Sequence, residues 1–388
     1  MLRTASGFRL GLVALGLICS QAFAADYQAV SLEGFSDGIK HWRNLHGDKY
    51  EKYTPAQIVQ IADNVLLYQR RNGGWIENRD PTRILSYAEK AQIQEDQKIE
   101  SASFDNRNVY SQVEYLAAVF SQTGDERYRE ALMRGLDFTL KNQHKKCGGW
   151  PHTVPGAQTY HPYITMADEV TSGVLRTLRK VSVGAEPFAF TDKRTRARAR
   201  AALVSGDACV LKLQIVQNGK LAGWAGQYHP ETLKPENGRS FELASIVSQE
   251  SIEMLRYLMG IPNPSVAQIR AIEGAVSWFE RSQLKGLKIE TIKLDQPVKY
   301  EYHTATTDRR LVEDPSAPPL WGRFYDLKDN TVVLANRDGI RVAKYSDIHH
   351  ERRTGYAWYG QWPAKLLNTE YPAWAERMKR PSVLAAKQ

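Results

Sequence analysis

The chain has 388 residues, 42% of them hydrophobic and 24% charged, with a formal net charge of +9. These values suit a soluble globular protein with a sizeable core in one large domain or two modest ones. No stretch beyond the N-terminus approaches the ~20 apolar residues needed to cross a bilayer, so a multi-span membrane protein is excluded.

The N-terminus reads as an export signal. Arg3 and Arg9 precede the short apolar core Leu10 to Cys19, and Ala22-Phe23-Ala24 supplies the small-x-small cleavage pattern. Residues 1–24 are therefore expected as a signal peptide, leaving 25–388 as one domain in the periplasm or secreted. Gly16-Leu17-Ile18 places no small residue next to Cys19, which disfavours lipid attachment. Removing Arg3 and Arg9 leaves +7 of the original +9, still suited to a polyanionic partner. Export makes nucleic acid the least suitable polyanion. Cys147 and Cys209 remain, and sequence leaves open whether they pair or stay as separate thiols.

In chain order, Thr54-Pro55 has the form of a helix start, followed by the 3.6-residue stripe Ile58, Ile61, Ala62, Val65 and Leu66 up to Tyr68-Gln69. Gly73-Gly74-Trp75 then turns the chain. The ending recurs. Val109, Val113, Leu116, Ala117 and Phe120 form a stripe stopped at Gly124, and Asp125 opens the next, which ends at Gln143 before Gly148-Gly149-Trp150. Later pairs end at Gln214, before Gly223-Trp224, and near Gln283. A regular spacing of two helices and a loop predicts stacked helical hairpins, mainly α, closing into an (α/α) toroid with inner helices around an axis. The reading puts the aromatic, glycine-containing loops at the ends of the inner helices, with the repeated glutamines and most tryptophans structural and a tryptophan or two available to stack on sugar. From about Lys285 to Tyr345 short irregular β segments are expected at Leu287 to Ile292, Lys299 to His303 and Thr331 to Ala335. Helix resumes near Ala357, limited by Pro363 and Pro372.

Four clusters carry chemical side chains: Phe104-Asp105-Asn106-Arg107-Asn108, His161 through Asp168-Glu169, Gln227-Tyr228-His229-Pro230 through Arg239-Ser240-Phe241-Glu242-Leu243, and Trp321-Gly322-Arg323-Phe324-Tyr325 with Asn336-Arg337-Asp338-Gly339. Singly, each has a structural reading: helix caps for Asp105 and Asp168, surface ion pairs for Arg323 and Arg337. Together, two oxygen-rich clusters at the starts of successive hairpins suit a hard cation such as calcium. No zinc-like spacing, Walker loop, GxGxxG or GxSxG motif is present.

At these residues the sequence resembles the pectate lyases of polysaccharide lyase family ten. The FDN, YITxxD, QYHPETLKP…RSFEL and WGRFYDL…NRDG segments occur in the family's order, and Glu351 to Gly360 resembles its C-terminal signature. The resemblance implies the toroid fold and calcium-assisted β-elimination of α-1,4-polygalacturonate to 4,5-unsaturated oligogalacturonides, by a monomer. It implies Arg239 as catalytic base, Asp105, Asn106 and Asp168 as calcium ligands, and Arg323, Arg337 and Lys212 as substrate-binding residues. Ala167 stands where the family often has a polar residue, which removes one outer contact. An arginine base is chemically costly, because guanidinium is protonated to above pH ~12. The expectation is that calcium, Arg323 and Arg337 disfavour its charge and that the pH optimum is alkaline.

Three alternatives stand beside this reading. A glycoside hydrolase on the same toroid would use Asp105 and Asp168 as its carboxylate pair. A non-catalytic periplasmic binder of oligogalacturonides is a third class, against which the retention of Arg239 with both aspartates argues. Gln69-x-x-x-Gly73-x-Trp75 also matches the QW repeat of triterpene cyclases, but no DxDD acid motif accompanies it.

Overall fold

The computed structural model describes residues 27–301 and 303–384, so the expected signal peptide lies outside the described residues. Helices α1 (Ser36–His46), α2 (Ile58–Tyr68) and α3 (Tyr87–Asp96) lead into three hairpins. These are α4 (Tyr110–Thr123) with α5 (Glu126–Lys141), α6 (Val170–Val183) with α7 (Lys193–Leu213), and α8 (Ser248–Met259) with α9 (Val266–Arg281). Three short helices, α10 (His350–Gly355), α11 (Trp362–Lys365) and α12 (Tyr371–Arg377), finish the chain.

Local chemistry sets the hairpins. Gly124 closes α4 in the left-handed region at φ 67°, and the Asp125 carboxylate caps α5 by accepting from Arg127 N at 3.0 Å. Ser265 and Gln268 form a reciprocal capping box on α9. The first expected helix starts later than Thr54, because Gln57 Oε1 accepts from Thr54 N at 2.8 Å and ties those residues into a turn ahead of Ile58.

Helices α4, α6 and α8 pack successively and are buried on most sides, whereas α2, α5, α7 and α9 pack successively outside them with one face in solvent. The result is a toroid of three hairpins. The glutamine-terminated helices are thus the outer ones, and their loops open at the end where the inner helices begin.

Three of the four outer helices, α2, α5 and α7, end in the same clamp. Gln69 Nε2 donates to Gly73 O at 2.9 Å and to Ala131 O on α5 at 2.8 Å. Gln143 does the same to Gly148 O at 2.7 Å and to Ala202 O on α7 at 2.8 Å. Gln214 bonds Ala222 O and Ala271 O on α9, both at 2.8 Å. Gln283 departs from the series and bonds Glu280 Oε2 at 3.1 Å. Four tryptophans complete the pattern: the indole N–H groups of Trp75, Trp150, Trp224 and Trp321 donate to Val65 O, Thr139 O, Val210 O and Phe279 O at 2.8–2.9 Å. Those carbonyls lie in the last turns of outer helices, where acceptors lack helical partners. All four rings are buried, so none stacks on sugar. A disulfide between Cys147 and Cys209 ties the first hairpin's exit loop to α7 and answers the open question about these cysteines.

After α9 the structure differs from the sequence reading. Leu287–Lys299 and Thr304–Glu313 form one long antiparallel hairpin, in which Lys299, expected to open a separate strand, ends the first strand and pairs with Thr304. Leu334–Ala335 pairs with Arg341–Val342. Ala357 is extended, and Pro363 and Pro372 sit in the first turns of α11 and α12, opening these helices instead of limiting them. A second core of Phe241, Val247, Phe324, Tyr356 and Trp358 packs beside the toroid's mouth.

Replacing Gln214 by alanine leaves Ala222 O and Ala271 O without their buried donor. We expect a loss of about 2–3 kcal/mol in urea unfolding, and an unchanged midpoint would show that the clamp is dispensable.

Candidate active site

The loops after the outer helices wall an open cleft of about 360 Å³ over the inner-helix N-termini. Each inner helix delivers one carboxylate there: Asp105 ahead of α4, Asp168 ahead of α6 and Glu250 in the first turn of α8. The segments leading into α4 and α6 share an unusual backbone. Asn106 and Arg107 lie at φ 52° and 63°, and Asp168 and Glu169 at 49° and 60°. Left-handed pairs of non-glycine residues are costly and persist where surroundings hold them. Here Arg107 Nε pairs with Glu169 Oε1 at 2.9 Å and Arg176 takes the other oxygen, so one segment braces the other.

The floor is electrostatically loaded. Burial opposes charge on Asp105, but His152, with Nε2 3.4 Å from Oδ2, holds the carboxyl below its ordinary range. His152 is raised in return, Asp105 outweighing the burial that opposes its charge. Asp105 Oδ1 is buried without a partner. Asp168 is open to cleft water but walled by protein, and that burial together with Asp105 and Glu250 pushes it up to about 8. Glu250 gives Oε1 to Arg323 and keeps Oε2 buried and unpaired, as does Glu77 with its Oε2. Asn106 Nδ2 donates to Asn78 Oδ1 at 3.0 Å, which assigns its other amide atom, Oδ1, as an acceptor.

These donors fit calcium: carboxylate and amide oxygens, three of them buried orphans. Among the described residues, no three His, Cys, Asp or Glu side chains converge closely enough to hold a metal unaided. Carboxylate side chains alone thus supply only part of an oxygen shell, which Asn106 would extend.

Arg239 reaches in from the opposite wall. Its Nε lies 2.9 Å from Glu242 Oε2 and its Nη2 2.5 Å from Oε1, and the guanidinium sits 5.0 Å from the Phe241 ring and 5.5 Å from that of Tyr356. Arg323 lies 4.6 Å from the same Tyr356 ring. Burial disfavours charge on Arg239, yet the Glu242 pair, reinforced by Asp168, raises its pKa above the ordinary value. Among the protein's own groups, a carboxylate stands closer to Arg239 than Arg323 or Arg337 does.

Asp105, Asn106, Asp168, Arg239 and Arg323 thus line one cleft. Lys212 does not, since it is exposed in the last turn of outer helix α7. Arg337 is exposed and outside the cleft lining, 5.4 Å from the Phe241 ring and paired with Glu351 at 3.0 Å. Sequence reasoning gave no roles to Glu77, His152, Glu242, Glu250 or Tyr356. Glu250 has the one legible signal, a carboxylate at the start of the third inner helix to match Asp105 and Asp168.

A profile of the pectic acid lyase family matches residues 69–367. The chain belongs to the pectic acid lyase family. It is similar to the solved family 10 polysaccharide lyase from Cellvibrio cellulosa, at 25% identity and a TM-score of 0.68 over 90% of this chain and 98% of that one. A mutant of that lyase in complex with trigalacturonic acid gives the same identity and TM-score over 89% of this chain and 99% of its own. No curated protein sequence matches. The enzyme is a pectate lyase on the (α/α) toroid, and the hydrolase, cyclase and non-catalytic readings fall away.

The raised Asp168 has a stability consequence for the lyase. Its folded pKa lies above the unfolded value of 3.8, so its contribution is fully present below that value and is lost as pH rises toward about 8. In chelator, wild-type melting temperature should fall between about pH 5 and 8, and Asp168→Asn should flatten the fall. Identical slopes in the two proteins would refute the assignment.

Proposed function

We propose that the lyase cleaves α-1,4-polygalacturonate by calcium-assisted β-elimination, with Arg239 as base. The carrying observation is a charge inversion. The protein is basic overall, yet its cleft presents Glu77, Asp105, Asp168, Glu236, Glu242 and Glu250 against Arg239 and Arg323. A polygalacturonate chain brings further carboxylates, so binding in this cleft calls for a cation between polymer and floor. Asp105, Asn106 and Asp168 are the residues that would hold it. A bound calcium ion would neutralise the floor and stabilise the charge that builds on the sugar's C6 carboxylate.

The protein's own groups divide the remaining work. Arg323, fixed by Glu250 and the Tyr356 ring, offers a planar donor array to a uronate carboxylate. Arg337 is suited to a more distant sugar at the rim, and Lys212 only to an outlying stretch of polymer. Tyr160, which lines the cleft, is the aromatic face available to a pyranose ring. Neutral Arg239 takes the C5 proton; the C5–H electrons form the C4–C5 double bond, the C4–O4 bond breaks, and the departing oxygen gains a proton from solvent. Neutral arginine is scarce next to Glu242, so activity should rise with pH. The same reading places the enzyme outside the cytoplasm as a monomer after loss of residues 1–24.

With polygalacturonate and calcium, we expect ultraviolet-absorbing unsaturated product, an alkaline optimum and loss of activity in chelator. Arg239→Ala should lower kcat by roughly 10²–10⁴-fold. Full activity in that variant would remove Arg239 from the proton transfer.

A further inference from the structure

We infer that Glu242 is a positioning residue for the elimination, aiming the Arg239 guanidinium across the cleft, and that Tyr356 fixes Glu242 in turn. The inference rests on Arg239 acting as the base. Arg239 lies in an irregular loop, and its side chain is 50% exposed, so helix or strand geometry does not fix its direction. Glu242 supplies what the backbone lacks. Its Oε2 accepts from Arg239 N at 3.0 Å and Nε at 2.9 Å, while Oε1 accepts from Arg239 Nη2 at 2.5 Å and from the Tyr356 hydroxyl at 2.6 Å. Those four donors fill the acceptor sites of one carboxylate, and three of them belong to Arg239.

The surroundings are shaped for this contact. A tight turn joins the two residues, with Glu242 N donating to Arg239 O at 2.7 Å and Gly238 N to Glu242 O at 2.9 Å. A Cβ on Gly238 would lie 2.8 Å from Glu242 Oε2, so glycine leaves the space that the carboxylate occupies. The rings of Phe241 and Tyr356 close two further sides of the guanidinium. An exposed i,i+3 ion pair contributes only a few tenths of a kcal/mol. Glu242, however, is 18% exposed and commits its last lone pair to a tyrosine 114 residues away. A surface pair would need neither.

Other charged groups face Arg239 as well. Asp168 and Asp105 come from the segments leading into α6 and α4, Tyr160 from the loop after α5, and Tyr356 from beyond α10. Arg323 shares the Tyr356 ring with it, and Arg337 and Arg352 share the Phe241 ring. Among the described residues, Glu242 is the nearest and the only one in bidentate contact. It therefore both aims Arg239 and makes it harder to deprotonate.

These two effects separate experimentally. Glu242→Gln should lower kcat at high pH by about ten-fold or more as aim is lost, while the basic rise of the pH profile moves to lower pH by roughly one unit or more. Tyr356→Phe keeps the ring and removes one hydrogen bond, and should lower kcat several-fold with KM unchanged. A uniform drop at every pH in Glu242→Gln, or a KM effect alone in Tyr356→Phe, would overturn the inference. If Arg239→Ala is active, the base assignment fails. If Arg239→Ala is inactive while the Glu242→Gln profile is unshifted, only the positioning role fails.

Discussion

The amide groups of Gln69, Gln143 and Gln214 set the geometry on which the cleft depends. Each reaches forward to the loop that follows its own helix and sideways to a carbonyl of the next outer helix. One side chain therefore fixes both the spacing of the outer ring and the path by which the chain returns to the inner ring. The tryptophans bond back to the same helix ends. Because these contacts are buried and repeated, the inner-helix N-termini are placed at a common level. Their partial positive charge favours the acidic side chains gathered there.

This arrangement gives a basic protein an acidic mouth. Long-range charge draws a polyanion to the surface, but the last few ångströms are governed by carboxylates. Attraction at a distance and repulsion at contact are the charge pattern behind the proposed role of a cation in binding. The floor also offers orphaned carboxylate oxygens, among them Asp105 Oδ1 and Glu250 Oε2. On the proposed reading, a neutral polysaccharide would bring no carboxylate to share a cation bound there.

The hairpins were legible because their signals are local. Stripes at 3.6 residues, Gly124 followed by Asp125, and the Gln–Gly–Trp endings each lie within one turn of the feature they specify. Which helices face inward was not legible, since α5 and α4 both carry apolar stripes and differ only in how much of the circumference is covered. The long hairpin escaped because its first strand is largely exposed, so Leu287–Lys299 lacks a continuous buried face. At the site, composition and spacing suggested only oxygen-rich loops, and the family resemblance singled out Arg239. Glu242 and Glu250 were missed because each is defined by distant partners: Tyr356 lies 114 residues away and Arg323 lies 73. The Cys147–Cys209 bond was undecidable for the same reason, its halves being 62 residues apart.

The left-handed pairs at Asn106-Arg107 and Asp168-Glu169 place backbone comfort and side-chain chemistry in opposition. Glycine would occupy those φ values with less steric cost, but it would remove the side chains that line the cleft or brace the starts of α4 and α6. Selection for durability and selection for turnover thus pull on the same four positions in different directions. A more heat-resistant relative of this enzyme would have to find its gains away from the cleft, on the solvent-facing sides of α2, α5 and α9.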